Sequence, residues 1–379
     1  MNPDFKYIER DLEAVLRKHL NKGKVIVLYG ARQVGKTTLL KNLFPEKGRA
    51  LYIACEQPRI QSQLIPDALV LKRVIGAYST VVFDEAQYLD NPGLILKVLV
   101  DNFPRKNIIA SGSSSFDLSN KVSEPLTGRH FKFLLFPLSL REIYRQVSPL
   151  DRQFHLEQAL IYGAYPEIFT TDSAEEKMMS LQTLADAYLY KDILSFHRVK
   201  SSQKVRELLI ALALQTGSEV SYSELANTIG ADRKTVEHYL DLLEKSFVIF
   251  RLYGFSRNMR SEINRKVKIY FYDTGIRNTI INNFNPLSMR ADSGGLFESF
   301  VAAEMLKREA GESQKSTFYF WRTYEQKEVD LVSDKNGVIT AYEVKLKAPK
   351  KTPGFSAFLK AYPGAETLLI TAENLLQHP

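Results

Sequence analysis

The sequence predicts an α/β protein in four parts. These are a P-loop domain on a parallel sheet, a helical linker or lid, a winged helix-turn-helix and a second α/β domain at the C-terminal end. Three observations predict it. The stretch VIVLYGARQVGKTTLLK at 25–41 runs an apolar strand into a glycine-rich turn and then into a helical period. Apolar strands and helical patterns then alternate, which implies a parallel sheet covered on both faces. Past residue 200 the texture changes to short helix, turn, helix and hairpin, and then to the element order α-β-β-β-α-β. The expected boundaries are 1–145, 146–200, 201–258 and 259–379.

The first element is the most specific. Val25 to Tyr29 reads as a buried strand that breaks at Gly30, and Gly35-Lys36-Thr37 opens a helix, giving the spacing G-x-x-x-x-G-K-[ST]. Glycines let successive N–H groups turn inward around phosphate oxygens, and the helix start adds its partial positive charge. Residues Gly30, Ala31, Arg32, Gln33, Val34, Gly35, Lys36, Thr37 and Thr38 are the expected nucleotide cradle. Lys36 is expected to reach the β- and γ-phosphates of ATP, with Thr37 supplying a hydroxyl to Mg²⁺. Downstream, TVVFDE at 80–85 is an apolar strand ending in two carboxylates. Asp84 is the expected Mg²⁺ holder and Glu85 the residue that polarises the attacking water; a strand followed by a solvated turn is the plainer reading.

Bulk properties exclude several classes. The chain has 379 residues, 45% hydrophobic and 25% charged, ordinary for two or three globular domains. A net charge of +8 permits an anionic partner without requiring one. The single cysteine, Cys55, rules out an internal disulfide and a cysteine-rich zinc site, and fits a reducing cytoplasm. The first residues carry charges throughout and show no signal-peptide core, and no apolar stretch has the length of a spanning helix. The six histidines show no metal-ligand spacing.

Taken in order, residues 5–20 have a helical period, 50–54 form a second strand and 59–78 form a helix. A helix near 93–102 precedes the strand NIIAS at 107–111 and a run of serines. Residues 125–142 combine a Gly-Arg turn with a strand. Arg129 in that turn is the candidate arginine finger, acting on a neighbouring subunit's nucleotide; a surface arginine is the alternative.

The strings GARQVGKTTLL, VVFDEAQ, ASGSSS, LTGRHFKFLLFPLSLRE, GAYPEI, YFYDTG and GGLFESFVAAE resemble a large family of predicted bacterial and archaeal AAA+-superfamily ATPases. That family joins an AAA domain to a long, poorly characterised C-terminal region. The resemblance covers nearly the whole chain, and only its ATPase motifs imply a chemistry. It places Ser111 and Ser113 where AAA-type ATPases carry a nucleotide-sensing polar residue. Residues 150–196 are helix-rich, broken at Gly163 to Glu167, and stand where such a module has its lid or a bridge to the next domain.

Residues 203–256 read as a winged helix-turn-helix, with SYSELANTIG, a turn at Ala231-Asp232, RKTVEHYLDLLEKS and then the strand FVIFRLYGF. Arg233, Lys234, Thr235 and His238 are the candidate DNA contacts on the recognition helix, with Arg257 and Arg260 past the wing. Residues 197–270 hold 13 Lys/Arg against 8 Asp/Glu, a local excess of +5, which favours phosphate contact but carries no base-reading code. Winged helices also dock proteins.

From residue 290 the order helix, three strands, helix, strand is that of the PD-(D/E)XK nuclease core, so this part resembles a restriction-endonuclease-like α/β domain. Strand alternation predicts that Asp330 points away from Val329 and Leu331, and that Glu343 and Lys345 share one face. Asp330, Glu343 and Lys345 then converge at a sheet edge, with Glu298 on the first helix as a further carboxylate. Two or three carboxylates suit Mg²⁺ or Mn²⁺, which generates a hydroxide for phosphodiester hydrolysis, and Lys345 would orient it. A solvated E-x-K by chance is the plainer reading, and such folds also persist as binding modules.

The expected function is ATP hydrolysis coupled to work on DNA, in a homo-oligomer whose most plausible form is a hexameric ring. The alternative is an ATP-dependent oligomeric switch or scaffold with an inert nuclease-like part and a protein-binding winged helix.

Overall fold

The computed structural model describes residues 7–45, 50–113, 125–186, 201–256, 267–312 and 314–375. The chain divides into two compact units, one of Met1–Leu138 with Lys245–Phe247, the other of Ser139–Glu244 with Val248–Pro379. Among the described residues no helix is long and apolar enough to cross a membrane.

The first unit is built on five strands, β1 (Val25–Tyr29), β2 (Ala50–Ala54), β3 (Thr80–Asp84), β4 (Asn107–Gly112) and β5 (His130–Leu134). All pair in parallel, in the order β2-β3-β4-β1-β5. Every residue of β1 is buried, as a parallel strand covered on both faces must be. Val25, Val27 and Tyr29 meet Val81, Phe83, Leu96 and Leu99 in one core. Each such side chain contributes roughly 1.5–3 kcal/mol on removal from water.

Helix α1 (Asp11–Lys18) precedes β1, and α2 (Lys36–Leu43) follows it. The helix expected over 59–78 is instead two helices, α3 (Pro58–Gln63) and α4 (Ala68–Ile75). Pro66 lies in the gap, and Asp67 caps α4 by accepting from the N–H groups of Leu69 and Val70. Helix α5 (Pro92–Asn102) leads to β4. Because β1 and β3 are parallel, their carboxyl ends open on the same edge, where ligands of such sheets bind.

The second unit starts with α6 (Leu140–Tyr144), opened by a capping box of Ser139 and Glu142. Helices α7 (Arg152–Tyr162), α8 (Pro166–Thr170), α9 (Ala174–Ala185) and α10 (Ser202–Leu214) follow. Next come β6 (Glu219–Val220), α11 (Tyr222–Thr228), α12 (Arg233–Lys245), β7 (Ile249–Gly254) and β8 (Val267–Phe271). Helix α13 (Thr274–Ile280) precedes the last run: α14 (Ser293–Arg308), β9 (Thr317–Arg322), β10 (Glu328–Lys335), β11 (Val338–Val344), α15 (Pro353–Ala361) and β12 (Glu366–Ile370). The order α-β-β-β-α-β is as read from the sequence.

All seven strands of this unit form one sheet, in the order β12-β11-β10-β9-β7-β8-β6. The wing strands β7 and β8 are antiparallel partners, so a boundary between 258 and 259 cuts a hairpin. The wing joins β9 through a short parallel seam, Tyr253 opposite Tyr319 and Gly254 opposite Phe320.

The strings GAYPEI and YFYDTG, without a mechanism in the sequence, have a structural reason. The Asp273 carboxylate accepts from the N–H of Ala164 at 2.7 Å and of Ile276 at 3.1 Å. It passes so close to Gly163 that a Cβ there would lie 2.0 Å from Oδ1. Thr274 donates to the Ala159 carbonyl and Asn278 to those of Leu160 and Ile161, so α13 closes the carbonyl end of α7. Arg277 and Arg290 both pair with Asp292.

Candidate functional site

The loop between β1 and α2 owes its shape to a few backbone demands. A Cβ at Gly30 would lie 2.3 Å from the Leu135 carbonyl oxygen, so the chain passes there only as glycine. Gln33 and Gly35 sit in the left-handed region with φ of 59° and 94°, and Gly35 is the N-cap of α2. No side chain caps that helix end, so the loop presents backbone donors and the positive end of a helix together. Arg10, buried and far away in sequence, fixes the loop from behind. Its guanidinium donates to the Val34 carbonyl at 2.8 Å and the Phe136 carbonyl at 2.6 Å.

The expected partners converge on this loop. Lys36 Nζ donates to the carbonyls of Gly30 and Ala31, both at 3.0 Å, and lies 3.8 Å from Glu85 Oε1. Thr37 Oγ1 donates to Asp84 Oδ2 at 2.8 Å. Ser111 Oγ donates to the other Asp84 oxygen and accepts from the Glu85 N–H at 3.1 Å. Glu85 itself stands in the left-handed region, φ 52° and ψ 50°, a strained setting for a side chain other than glycine. Burial lowers the Lys36 pKa against the upward pull of Glu85 and Asp84. Burial pushes Glu85 up, but Lys36, hydrogen bonding with Gln87 and Ser113, and the charge of Arg32 outweigh it and leave its carboxyl below the ordinary value.

One further residue completes the network without a motif to announce it, and a second is buried beside it. Gln87 Nε2 donates both to Glu85 Oε2 and to Ser113 Oγ, the latter at 3.2 Å. Its place two residues after Glu85 was visible in the VVFDEAQ string, but its partner Ser113 lies 26 positions on. Cys55 is buried beside the carboxylates, and burial, Asp84 and Glu85 push its thiol up to about 12.

Arg129 is placed elsewhere. Its carbonyl accepts from the Val25 N–H, at the end of β1 away from Lys36, and its side chain pairs with Asp101 at 2.8 Å. It does not reach the loop of its own chain.

The second candidate cluster lies in the other unit. Lys345 Nζ bridges Asp330 Oδ2 and Glu343 Oε1, both at 2.9 Å, and Asp330 Oδ2 also accepts from the Val344 N–H at 2.8 Å. The three residues converge as expected, but not by simple alternation. A register shift between Val329 and Val332 puts both valines in the core with Phe358 of α15, leaving Asp330 and Leu331 between them. Glu298 of α14 makes a different set of bonds, accepting from Lys268 Nζ at 2.9 Å and Tyr270 Oη at 2.5 Å.

Burial raises Glu298, and Asp330 adds to the rise against Lys268. Glu343 is raised by burial and by Asp330. Burial depresses Lys345 and Lys268, but their carboxylate neighbours prevail and leave both raised. Glu343 Oε2 is buried with no hydrogen-bond partner among the described residues. Also among these residues, no group of three or more His, Cys, Asp or Glu is arranged to hold a metal ion.

On the helix-turn-helix, Arg233 and Lys234 are exposed at the start of α12. Arg233 pairs with Glu237 at 2.9 Å, and the Thr235 hydroxyl is spent on Asp232, which caps this helix. His238 is half-buried with an unpartnered Nε2. Arg257 and Arg260 lie outside the described residues.

Residues 22–144 match an AAA domain family, 153–287 a domain of unknown function (DUF8612) and 293–377 another (DUF4143). The chain is similar to an uncharacterised protein of Mycobacterium tuberculosis, 28% identical, across 93% of this chain and 76% of that one. An uncharacterised protein of Methanocaldococcus jannaschii is 26% identical across 94% of this chain and 82% of its own. Among solved structures, the Walker-type ATPase of Pyrococcus abyssi superposes with a TM-score of 0.51 at 18% identity, over 73% of this chain and 96% of that one. That likeness is one of fold. Residues 22–144 thus carry an AAA domain, and a C-terminal sheet region matched only to domains of unknown function follows it.

Proposed function

We propose that the protein hydrolyses ATP at the β1–α2 loop and uses that cycle to act on DNA, by binding, remodelling, translocation or metal-dependent cleavage at the Asp330–Glu343–Lys345 cluster. One observation carries the first half. Thr37, Asp84, Glu85 and Ser111 form one hydrogen-bonded cluster where β1, β3 and β4 end, and Lys36 stands 3.8 Å from its Glu85. The loop from Gly30 to Thr38 would take the phosphates on its backbone donors, and Lys36 would exchange its two carbonyl partners for phosphate oxygens. Thr37 and Asp84, a hydroxyl already facing a carboxylate oxygen, suit the oxygen-seeking Mg²⁺ that accompanies ATP. Mg²⁺ supplies charge neutralisation on the phosphates. Glu85 is kept ionised by its neighbours and is fitted to take a proton from a water beside the terminal phosphate. Ser111 and Ser113 would report on that phosphate through Asp84 and Gln87. Arg129, remote from its own loop, suits action on a neighbouring copy in a homo-oligomer such as a hexameric ring.

The DNA half rests on the helix-turn-helix. The exposed Arg233 and Lys234 at the start of α12 and the local excess of +5 favour a phosphate backbone. The test is the ATPase rate with and without duplex and branched DNA across a salt series. Stimulation that fades steeply with salt supports the proposal, and equal rates throughout overturn its DNA half. The alternative, a nucleotide-dependent switch or scaffold, draws on the ammonium groups that already balance the carboxylates of the second unit.

A further inference from the structure

Lys268 belongs to the wing, not to the α-β-β-β-α-β array, yet it is 1% exposed and its ammonium lies 2.9 Å from Glu298. Tyr270, one pleat further along β8, donates to the same oxygen. Across the sheet, beyond β7 and β9, Asp330 of β10 and Glu343 of β11 share Lys345, and the second oxygen of Glu343 is buried without a donor. Three carboxylates thus face two ammonium groups. Leaving a buried carboxylate oxygen without a donor costs about 1–3 kcal/mol or more, so this oxygen favours an added positive group. The carboxylate on α14 is engaged instead by the wing.

We propose that Lys268 is the internal counter-cation of Glu298, and that this lysine sets the affinity of the Asp330–Glu343 pair for a divalent cation. The inference rests on reading this cluster as a metal-using site. Asp330 and Glu343 supply the oxygen donors a hard cation takes. Glu298 joins them only when Lys268 leaves, because one carboxylate oxygen serving an ammonium and a hydroxyl has little negative potential left for a third positive group. The wing therefore decides how many carboxylates the site offers.

The test is calorimetric titration of the full chain with MnCl₂, without DNA or nucleotide, so that affinity and not turnover is read. Wild type, Asp330→Asn, Lys268→Met, Lys268→Gln and the double variant Lys268→Met/Asp330→Asn are compared. Lys268→Gln keeps a donor on Glu298 while removing the charge, and decides the matter if the methionine variant fails to fold. The expected result is Mn²⁺ binding at least about tenfold tighter in the lysine variants than in wild type, since one positive charge is removed from a partly desolvated site. The gain disappears in the double variant. Asp330-dependent binding that is equal in wild type and the folded lysine variants overturns the role of Lys268 and leaves the metal-site reading standing. A gain that survives Asp330→Asn overturns it as well. Absence of Asp330-dependent Mn²⁺ binding in every variant overturns both.

Discussion

Each unit of this protein places lysine among carboxylates, one in the first and two in the second, and they are used differently. Lys36 bonds two backbone carbonyls and stands 3.8 Å from Glu85, while the carboxylates around it hold neutral hydroxyls and an amide. Those contacts exchange readily for a phosphate and its cation, which arrive together. Lys345 and Lys268 make 2.9 Å ion pairs with Asp330, Glu343 and Glu298. There most of the carboxylate charge is met within the protein, and the second oxygen of Glu343 is left without a donor. The first site is organised for an incoming anion; the second keeps its carboxylates largely engaged by its own ammonium groups.

The sharpest way to break that contrast is at the first lysine. Lys36→Ala is expected to lower ATP turnover by at least about 100-fold, the scale of losing a main electrostatic stabiliser. Glu85→Gln should lower turnover as strongly while leaving ATP binding within a few-fold. Steady-state phosphate release beside a nucleotide-binding titration separates the two, and normal turnover by Glu85→Gln would remove that residue's assigned role. A stability effect comes next. Asp273→Ala strips the acceptor from two buried N–H groups, at roughly 2–5 kcal/mol. A drop of several degrees in the melting of the second unit is expected, and calorimetric melting with unaltered ATP turnover checks it.

A smaller effect is expected at Gln87. Gln87→Ala should reduce kcat about tenfold with KM little changed, because it aims Glu85 and touches no substrate. A rise in KM with kcat intact would show a role in binding instead. The smallest effect concerns pH. Asp292 is held down to about 2, first by its hydrogen bond from Arg290, with Arg277 adding, against burial. A depressed carboxyl stabilises the fold above its ordinary value of 3.8 and loses that contribution as pH falls toward 2. Melting of Asp292→Asn against pH should therefore fall less steeply in that window than wild type, and parallel curves would show that the pair contributes nothing.

How legible each site was depends on how local its contacts are. The loop at 30–38 could be read because strand, turn and helix are consecutive, and GKT fixes the spacing. Glu343 and Lys345 could be read as neighbours because they are two apart in sequence, at the end of β11 and just past it. Gln87 and Ser113 meet only because β3 and β4 are adjacent in the sheet, and strand order is not written in periodicity. Arg10 reaches Phe136 across 126 positions, and Lys268 reaches Glu298 across 30, each from an element that no local pattern joins to its partner. The bulge at Val329–Val332 was hidden because an extra residue leaves the apolar pattern almost unchanged. The split of residues 59–78 was signalled by Pro66 and Asp67, and the apolar period across them masked it.

The two-residue seam between β7 and β9 has a practical side. Any truncated version that ends before β9, or begins after β8, would leave a bare strand edge with its N–H and C=O groups unanswered, an invitation to intermolecular pairing and precipitation. Recombinant work on the C-terminal half is better served by a cut near residue 139, which keeps all seven strands in one piece.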